Sequence, residues 1–196
     1  MAIAPQKPKT YTPEEYFTLE VESELRHEYR NGEIIPMSGG TPAPNEIAGN
    51  LMLTIKSALK GQPYSIFIAD QRVWIPEYNF YTYPDIVVVP RPIALQPGRK
   101  DTIISPLFIA EVLSNSTKAY DRDEKFAAYR TIPTFQEYLL IDQTQSHVEQ
   151  YIKQETDQWL FKEYNGKAAK IAFKFLSAAI NLEINLADLY ENVDFE

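Results

Sequence analysis

Between Pro44 and Lys60 the apolar residues Ile47, Leu51, Ile55 and Leu59 recur every four positions, and Ala48, Met52 and Ala58 widen the stripe. That period predicts a helix with one buried face, and Gly61 supplies its stop. Elsewhere the helical period gives way to runs rich in β-branched and aromatic residues, at about 65–75, 83–89 and 106–113, which predict strands. Pro90-Arg91-Pro92 and the Gln96 to Lys100 cluster interrupt regular structure between the last two. Near the start, Thr12-Pro13-Glu14-Glu15 combines an N-cap, a proline in the first turn and a glutamate three residues after the threonine, predicting a helix to about Leu25. Asn31-Gly32, between Glu28-Tyr29-Arg30 and Glu33-Ile34-Ile35, predicts a tight β-hairpin.

Ser116 or Thr117 can cap a further helix with Asp121, Asp123 and Glu124 near its positive end, and it should stop before Pro133. A strand at about 137–142 follows. Val148 to Ile152, Trp159 to Tyr164 and Ile171 to Phe175 then predict a C-terminal antiparallel meander. The sum is an α/β (α+β) protein, a mixed β-sheet core flanked by helices. Residues 1–10 are expected to form a flexible arm, and 11–196 a single domain.

The absence of cysteine excludes disulfides and thiol chemistry, and His27 and His147 are too few for a histidine-rich zinc site. A net charge of −8 opposes long-range attraction to phosphate backbones, although a carboxylate metal site is itself acidic. Neither a membrane span nor a secretory signal is visible, so a soluble cytoplasmic protein is expected.

The chemistry concentrates in two of the apolar runs, which carry Asp85 and Glu111. A carboxylate in such a run loses hydration and must recover it from a cation or from hydrogen bonds, or else protonate. Two such acids on neighbouring strands suggest a shared divalent metal, whereas Asp85 alone could serve merely to start its strand. Glu28 could pair with Arg26 or Arg30 across the hairpin. Asp121 and Lys125 have the spacing of a helical surface ion pair. Asp70 could extend the acidic cluster or, with Arg72, mark a polar sheet face. Tyr78, Phe80, Tyr81 and Tyr83 could pack the sheet or form a self-association surface.

Pro84-Asp85, the string Glu111-Val112-Leu113-Ser114-Asn115-Ser116-Thr117, and then Asp121, Lys125 and Tyr129 together resemble the bacterial Uma family of restriction endonuclease-like proteins, abundant in cyanobacteria. That family belongs to the PD-(D/E)XK nuclease superfamily. The resemblance runs from roughly Glu14 to Tyr151, with Arg26, Glu28 and Gly32 near its start and Glu137-Tyr138-Leu139-Leu140-Ile141-Asp142 near its end. It implies a restriction-endonuclease-like fold in which Glu28, Asp85 and Glu111 hold magnesium or manganese, consistent with the preference of Mg²⁺ for hard oxygen ligands. The superfamily pattern places a lysine two residues after the glutamate, where this chain has Leu113; the Uma pattern commonly has an apolar residue there. Lys125 could bring an ammonium to the same place, oriented by Asp121 one turn earlier. Pro44 departs from relatives that carry a histidine at that position.

The expected activity is metal-dependent hydrolysis of phosphodiester bonds in nucleic acid, DNA ahead of RNA, with Glu28, Asp85, Glu111 and Lys125 as the catalytic set. Two rivals stay open: a catalytically silent homodimer that retains the fold, and a metal-dependent hydrolase of a small phosphorylated substrate. A basic stripe of Arg72, Arg91, Arg99, Lys100, Lys118 and Arg122 would favour the nuclease.

Overall fold

A computed structural model describes residues 9–37, 39–176 and 180–195. Most of the expected N-terminal arm, residues 1–8, lies outside the described residues. From Thr10 the chain is already docked: a Cβ on Gly32, whose φ of +98° suits glycine, would lie 2.3 Å from the Thr10 methyl, and Tyr11 N donates to Gly32 O at 2.9 Å.

Helix α1 (Pro13–Glu22) opens with the expected capping box, Thr12 N donating to Glu15 Oε2 and Glu15 N to Thr12 Oγ1. It ends at Glu22 rather than Leu25, because Ser23 turns extended while its N–H donates back to Leu19 O. The hairpin is β1 (His27–Arg30) and β2 (Glu33–Pro36), joined at Asn31-Gly32. Helix α2 (Pro42–Ala58) buries Ile47, Leu51 and Ile55.

The single strand expected at 65–75 is two strands in different sheets, β3 (Tyr64–Ile68) and β4 (Arg72–Ile75). Ala69 takes a positive φ of 48° and Asp70 N closes a turn on Ile68 O, so the polar interval Asp70-Gln71 is a corner. After a 3₁₀ turn (Pro76–Tyr78) come β5 (Phe80–Thr82), β6 (Ile86–Pro90), β7 (Thr102–Ile103) and β8 (Phe108–Leu113). Tyr83, Pro84 and Asp85 precede β6 rather than lying within it. The next helical run is α3 (Lys118–Tyr120), a π-helical stretch (Asp121–Lys125) and α4 (Phe126–Tyr129). Beyond it lie β9 (Glu137–Asp142), β10 (His147–Glu155), β11 (Gln158–Asn165), β12 (Lys170–Ala172), β13 (Glu183–Asn185) and α5 (Leu186–Leu189).

Among the described residues one sheet runs β2-β1-β5-β4-β7 and a larger one runs β11-β10-β9-β8-β6-β3. Each is antiparallel except at one pair, β4 with β7 and β8 with β9. The expected terminal meander is thus divided: β10 and β11 extend the larger sheet, while β12 pairs only with β13 in a separate ribbon.

Both faces of the larger sheet are covered, which is why its central strands read as unbroken apolar runs. Ile86, Val88, Phe108, Ala110 and Val112 pack with α2 and the C-terminal segment. Val87, Val89, Ile109 and Leu113 face the other way, onto Phe80 of the smaller sheet and Phe126 and Tyr129 of α4. Phe80, Tyr81 and Tyr83 are all buried, so of the proposed self-association aromatics only Tyr78 is exposed.

Glu137, at the start of β9, fastens the C-terminal segment to the sheet. It accepts bonds from Lys174 N at 2.6 Å, Phe175 N at 2.8 Å and the Gln150 side-chain amide. Burial pushes its carboxyl up to about 7, against the lowering effect of those donors. A folded pKa above the unfolded one means that this stabilising contribution is complete at low pH and is lost as pH rises through about 7. The melting temperature should therefore fall between about pH 5 and pH 8, and Glu137→Gln should remove that component of the slope. The same slope in the variant would place the pH dependence elsewhere.

Candidate active site

The β6–β8 ladder pairs Val88 with Phe108, Val87 with Ile109 and Ile86 with Ala110. One more step in that register sets Asp85 opposite Glu111, on the sheet face that carries Val87, Ile109 and Leu113. The ladder hydrogen bonds stop there because β6 begins only at Ile86, and the side chains take their place. Val112 N donates to Asp85 Oδ2 at 2.7 Å, and Asp85 N donates to Glu111 Oε2 at 3.3 Å.

Glu28 reaches the same point from the smaller sheet. The β1–β5 ladder pairs Arg30 with Phe80 and Tyr29 with Tyr81, so its continuation faces Glu28 with Thr82. The Thr82 hydroxyl donates to Glu28 Oε1, and Tyr120 OH donates to Oε2 at 2.9 Å. Neither Arg26 nor Arg30 pairs with Glu28. Arg26 meets Asp70, and Arg30 meets Glu33 and Glu124. Asp70 is an exposed corner residue and does not extend the acidic cluster.

Lys125 closes the constellation. Its Nζ lies 3.2 Å from Glu28 Oε1, from Glu111 Oε1 and from Asp121 Oδ1. Glu28, Glu111, Asp121 and Lys125 are all buried, whereas Asp85 is partly exposed. This is not the surface ion pair that the spacing of Asp121 and Lys125 suggested. Both residues belong to the π-helical stretch, a local widening of the helix often found at functional sites. Tyr129 OH, one turn further on, donates to Glu111 Oε1 at 2.8 Å.

Burial drives the Lys125 ammonium toward neutrality, but Glu111 first, and then Glu28, Tyr129 and Asp121, outweigh it and hold the charge well beyond the ordinary lysine range. Burial likewise holds the Glu111 carboxyl well above its usual range, with Lys125 opposing and Asp121 and Asp85 reinforcing the shift. Asp85 is raised by burial too, against the Val112 amide and Lys125. Three carboxylates therefore share one ammonium, with Asp85 a fourth acid beside them, and Asp121 Oδ1 meets no donor other than Lys125 among the described residues.

The structure brings Glu28, Asp85, Glu111 and Lys125 together, as the sequence reading required. Among the described residues no three carboxylates or histidines form a ready-made metal cage; the cation between Glu28 and Glu111 is Lys125. Thr82 and Tyr120 were missed. Thr82 becomes visible only once the hairpin register is known, whereas the four-residue steps from Asp121 to Lys125 to Tyr129 already placed those three on one helical face. Leu113, where the superfamily lysine would stand, is buried among apolar residues. Half of the anticipated basic stripe is tied up in ion pairs: Arg72 and Arg99 pair with Asp101, and Arg122 with Glu149.

A family model described as Uma2, putative restriction endonuclease, matches residues 13–185. Two relatives are uncharacterized proteins of Synechocystis sp. (strain ATCC 27184 / PCC 6803 / Kazusa). The first, sll1609, is 39% identical over 168 residues, covering 86% of this chain and 95% of its own. The second, slr1290, is 36% identical over 155 residues, covering 78% and 80%. A crystal structure titled as a putative nuclease belonging to DUF820, from Anabaena variabilis ATCC 29413, superposes with a TM-score of 0.72 at 20% identity, over 90% of this chain and 96% of that one. This last likeness establishes the fold.

Removing one member of a buried charge network leaves the others uncompensated. Lys125→Met should lower the stability of the metal-free protein at neutral pH by about 3–5 kcal/mol in urea unfolding, and adding Glu111→Gln should recover part of that loss. A Lys125→Met protein that unfolds at the wild-type urea concentration would mean that the ammonium does not hold the cluster together.

Proposed function

The chain belongs to the Uma2 family of putative restriction endonucleases, and from that premise we propose that it is a metal-dependent nuclease hydrolysing phosphodiester bonds of nucleic acid. The observation that carries this reading is the surplus of four carboxylates over one ammonium, gathered where β6 begins beside β8. Burial, reinforced by the neighbouring carboxylates, raises the Asp85 and Glu111 carboxyls in the isolated protein, a condition that a hard divalent cation relieves. The oxygen-only donor set of Glu28, Asp85 and Glu111 fits magnesium or manganese.

Glu28, Asp85 and Glu111 would hold the ion. When bound, such an ion supplies neutralisation of charge on the scissile phosphate and lowers the pKa of a coordinated water. The remaining chemistry belongs to the chain's own side chains. The Val112 amide fixes the Asp85 carboxylate, Tyr129 fixes Glu111, and Thr82 and Tyr120 fix Glu28. Lys125 would provide the cation that Leu113 cannot, its ammonium orienting an attacking water or facing the developing negative charge. Asp121 keeps that ammonium pointing inward.

One observation favours a second reading. Lys125 already neutralises part of the cluster, and Arg72, Arg99 and Arg122 are paired, so the fold could persist as a silent scaffold for a homodimer.

Purified protein should cleave DNA or RNA panels only with magnesium or manganese, and Asp85→Ala should abolish that cleavage. Lys125→Met, assayed at magnesium concentrations where circular dichroism shows it folded, should cleave about 10²-fold more slowly with little change in substrate affinity. Magnesium should raise the wild-type melting temperature, and Asp85→Asn and Glu111→Gln should shrink that rise. No cleavage of any substrate, with equal magnesium shifts in all three proteins, would leave the silent scaffold as the reading.

A further inference from the structure

A cavity of about 320 Å³ lies beside the candidate active site, lined by Arg30, Tyr78, Phe80, Tyr120, Glu124 and Ala127 among others. Two features connect it to the carboxylates. Arg30 and Phe80 form the cross-strand pair next to Glu28 and Thr82 on the same sheet face, two residues or about 7 Å along the strand. Tyr120 belongs to both places, for its ring walls the cavity while its hydroxyl donates to Glu28 Oε2 at 2.9 Å.

The cavity's chemistry is that of a flat aromatic guest. Its walls are mostly apolar and supply the rings of Tyr78, Phe80 and Tyr120. The Arg30 guanidinium lies 5.4 Å from the Tyr120 ring centroid and is already paired with Glu33 and Glu124, so it presents a planar face more than a free charge. Phosphate is a poor occupant, because Asp123 and Glu124 border the space. The volume is at the small end of ligand pockets, enough for one ring system and too small for a stacked pair of bases.

We infer that this cavity is a nucleobase subsite, which takes one unstacked base of a substrate whose phosphate lies at the carboxylates. The inference rests on the nuclease reading for the identity of the guest. Phosphate and base of one nucleotide are separated by a sugar, a span comparable to the distance of about 7 Å along the strand from Glu28 to Arg30. A base in an intact duplex is stacked on both faces and cannot enter, so the subsite selects single-stranded or flipped nucleotides. Within it the base stacks on Tyr120 or Tyr78, and its arrival is felt at Glu28 through the Tyr120 hydroxyl.

The test is binding of single-stranded oligonucleotides carrying 2-aminopurine, followed by its fluorescence with calcium as the divalent ion, together with cleavage of the same strands in magnesium. Ala127→Trp fills the cavity and Tyr78→Ala removes a wall, and neither residue touches the carboxylates. Wild type should bind the single strand with a change in 2-aminopurine emission and prefer it to the duplex. Each variant should bind about 10-fold more weakly or worse, the range of one lost base-stacking contact, and an abasic nucleotide in place of the analogue should lower wild-type affinity to the same extent. Binding without cleavage would sink the nuclease reading and leave the subsite standing. Cleavage with equal affinity in wild type, Ala127→Trp and Tyr78→Ala, or equal binding of the abasic strand, would overturn the subsite and leave the nuclease.

Discussion

The burial of one ammonium among three carboxylates ties this molecule together. Lys125 receives Glu28 from the smaller sheet, Glu111 from the larger sheet and Asp121 from its own π-helical turn, each at 3.2 Å. None of these groups can return to water without opening the junction between the sheets and the helix. A buried ion network is an inefficient source of stability, since desolvation consumes most of the Coulombic gain and an apolar substitute of equal volume often does as well. Its value here is positional. It draws an early hairpin, a central strand and a mid-chain helix to one point with their oxygen atoms facing inward.

The surrounding apolar structure makes that point possible. The larger sheet is packed on both faces, so a carboxylate on β8 would be stranded unless the ladder opened beside it. It opens because β6 begins at Ile86 while β8 continues to Leu113 along β9. The Val112 amide then has no β6 partner and takes the Asp85 carboxylate instead. The end of one strand thus creates both the acceptor's place and the donor that fills it. Tyr129 and Tyr138 extend the arrangement into the core, their hydroxyls donating to Glu111 Oε1 and to Asp121 O.

Features that are local in the chain were legible in the sequence: the capping box at Thr12, the Asn31-Gly32 turn, the four-residue stripe of α2, and the two acids in apolar context. Features that depend on which strand joins which sheet were not. Asp70-Gln71 looked like a polar interval within one strand, yet the left-handed Ala69 makes it a corner between sheets. Ile171 to Phe175 carried a strand pattern, but period alone could not say that β12 would leave the larger sheet for a ribbon with β13. A second buried polar chain also went unseen. His27 and Tyr83 both bond Glu20, and Arg72 bonds Tyr83 while lying against the rings of Tyr16 and Phe17. No spacing rule marks Glu20, an acid whose partners lie on two other segments.

The charge distribution constrains how such a site could meet a nucleic acid. Counterion release needs free lysines and arginines, whereas the net charge is −8 and several arginines that might have formed a groove are held by Asp101 and Glu149. On the nuclease reading, little affinity is left for the backbone as a whole. Attraction would come from a divalent ion at the carboxylates and from stacking in the neighbouring aromatic cavity, two short-range contacts placed about one nucleotide apart. A protein bound in that way engages a single exposed nucleotide and cannot slide along duplex on electrostatic contacts. On that reading the same carboxylates that repel a phosphate in the metal-free state would hold the cation that admits it, and metal occupancy and substrate affinity would form a single linked equilibrium.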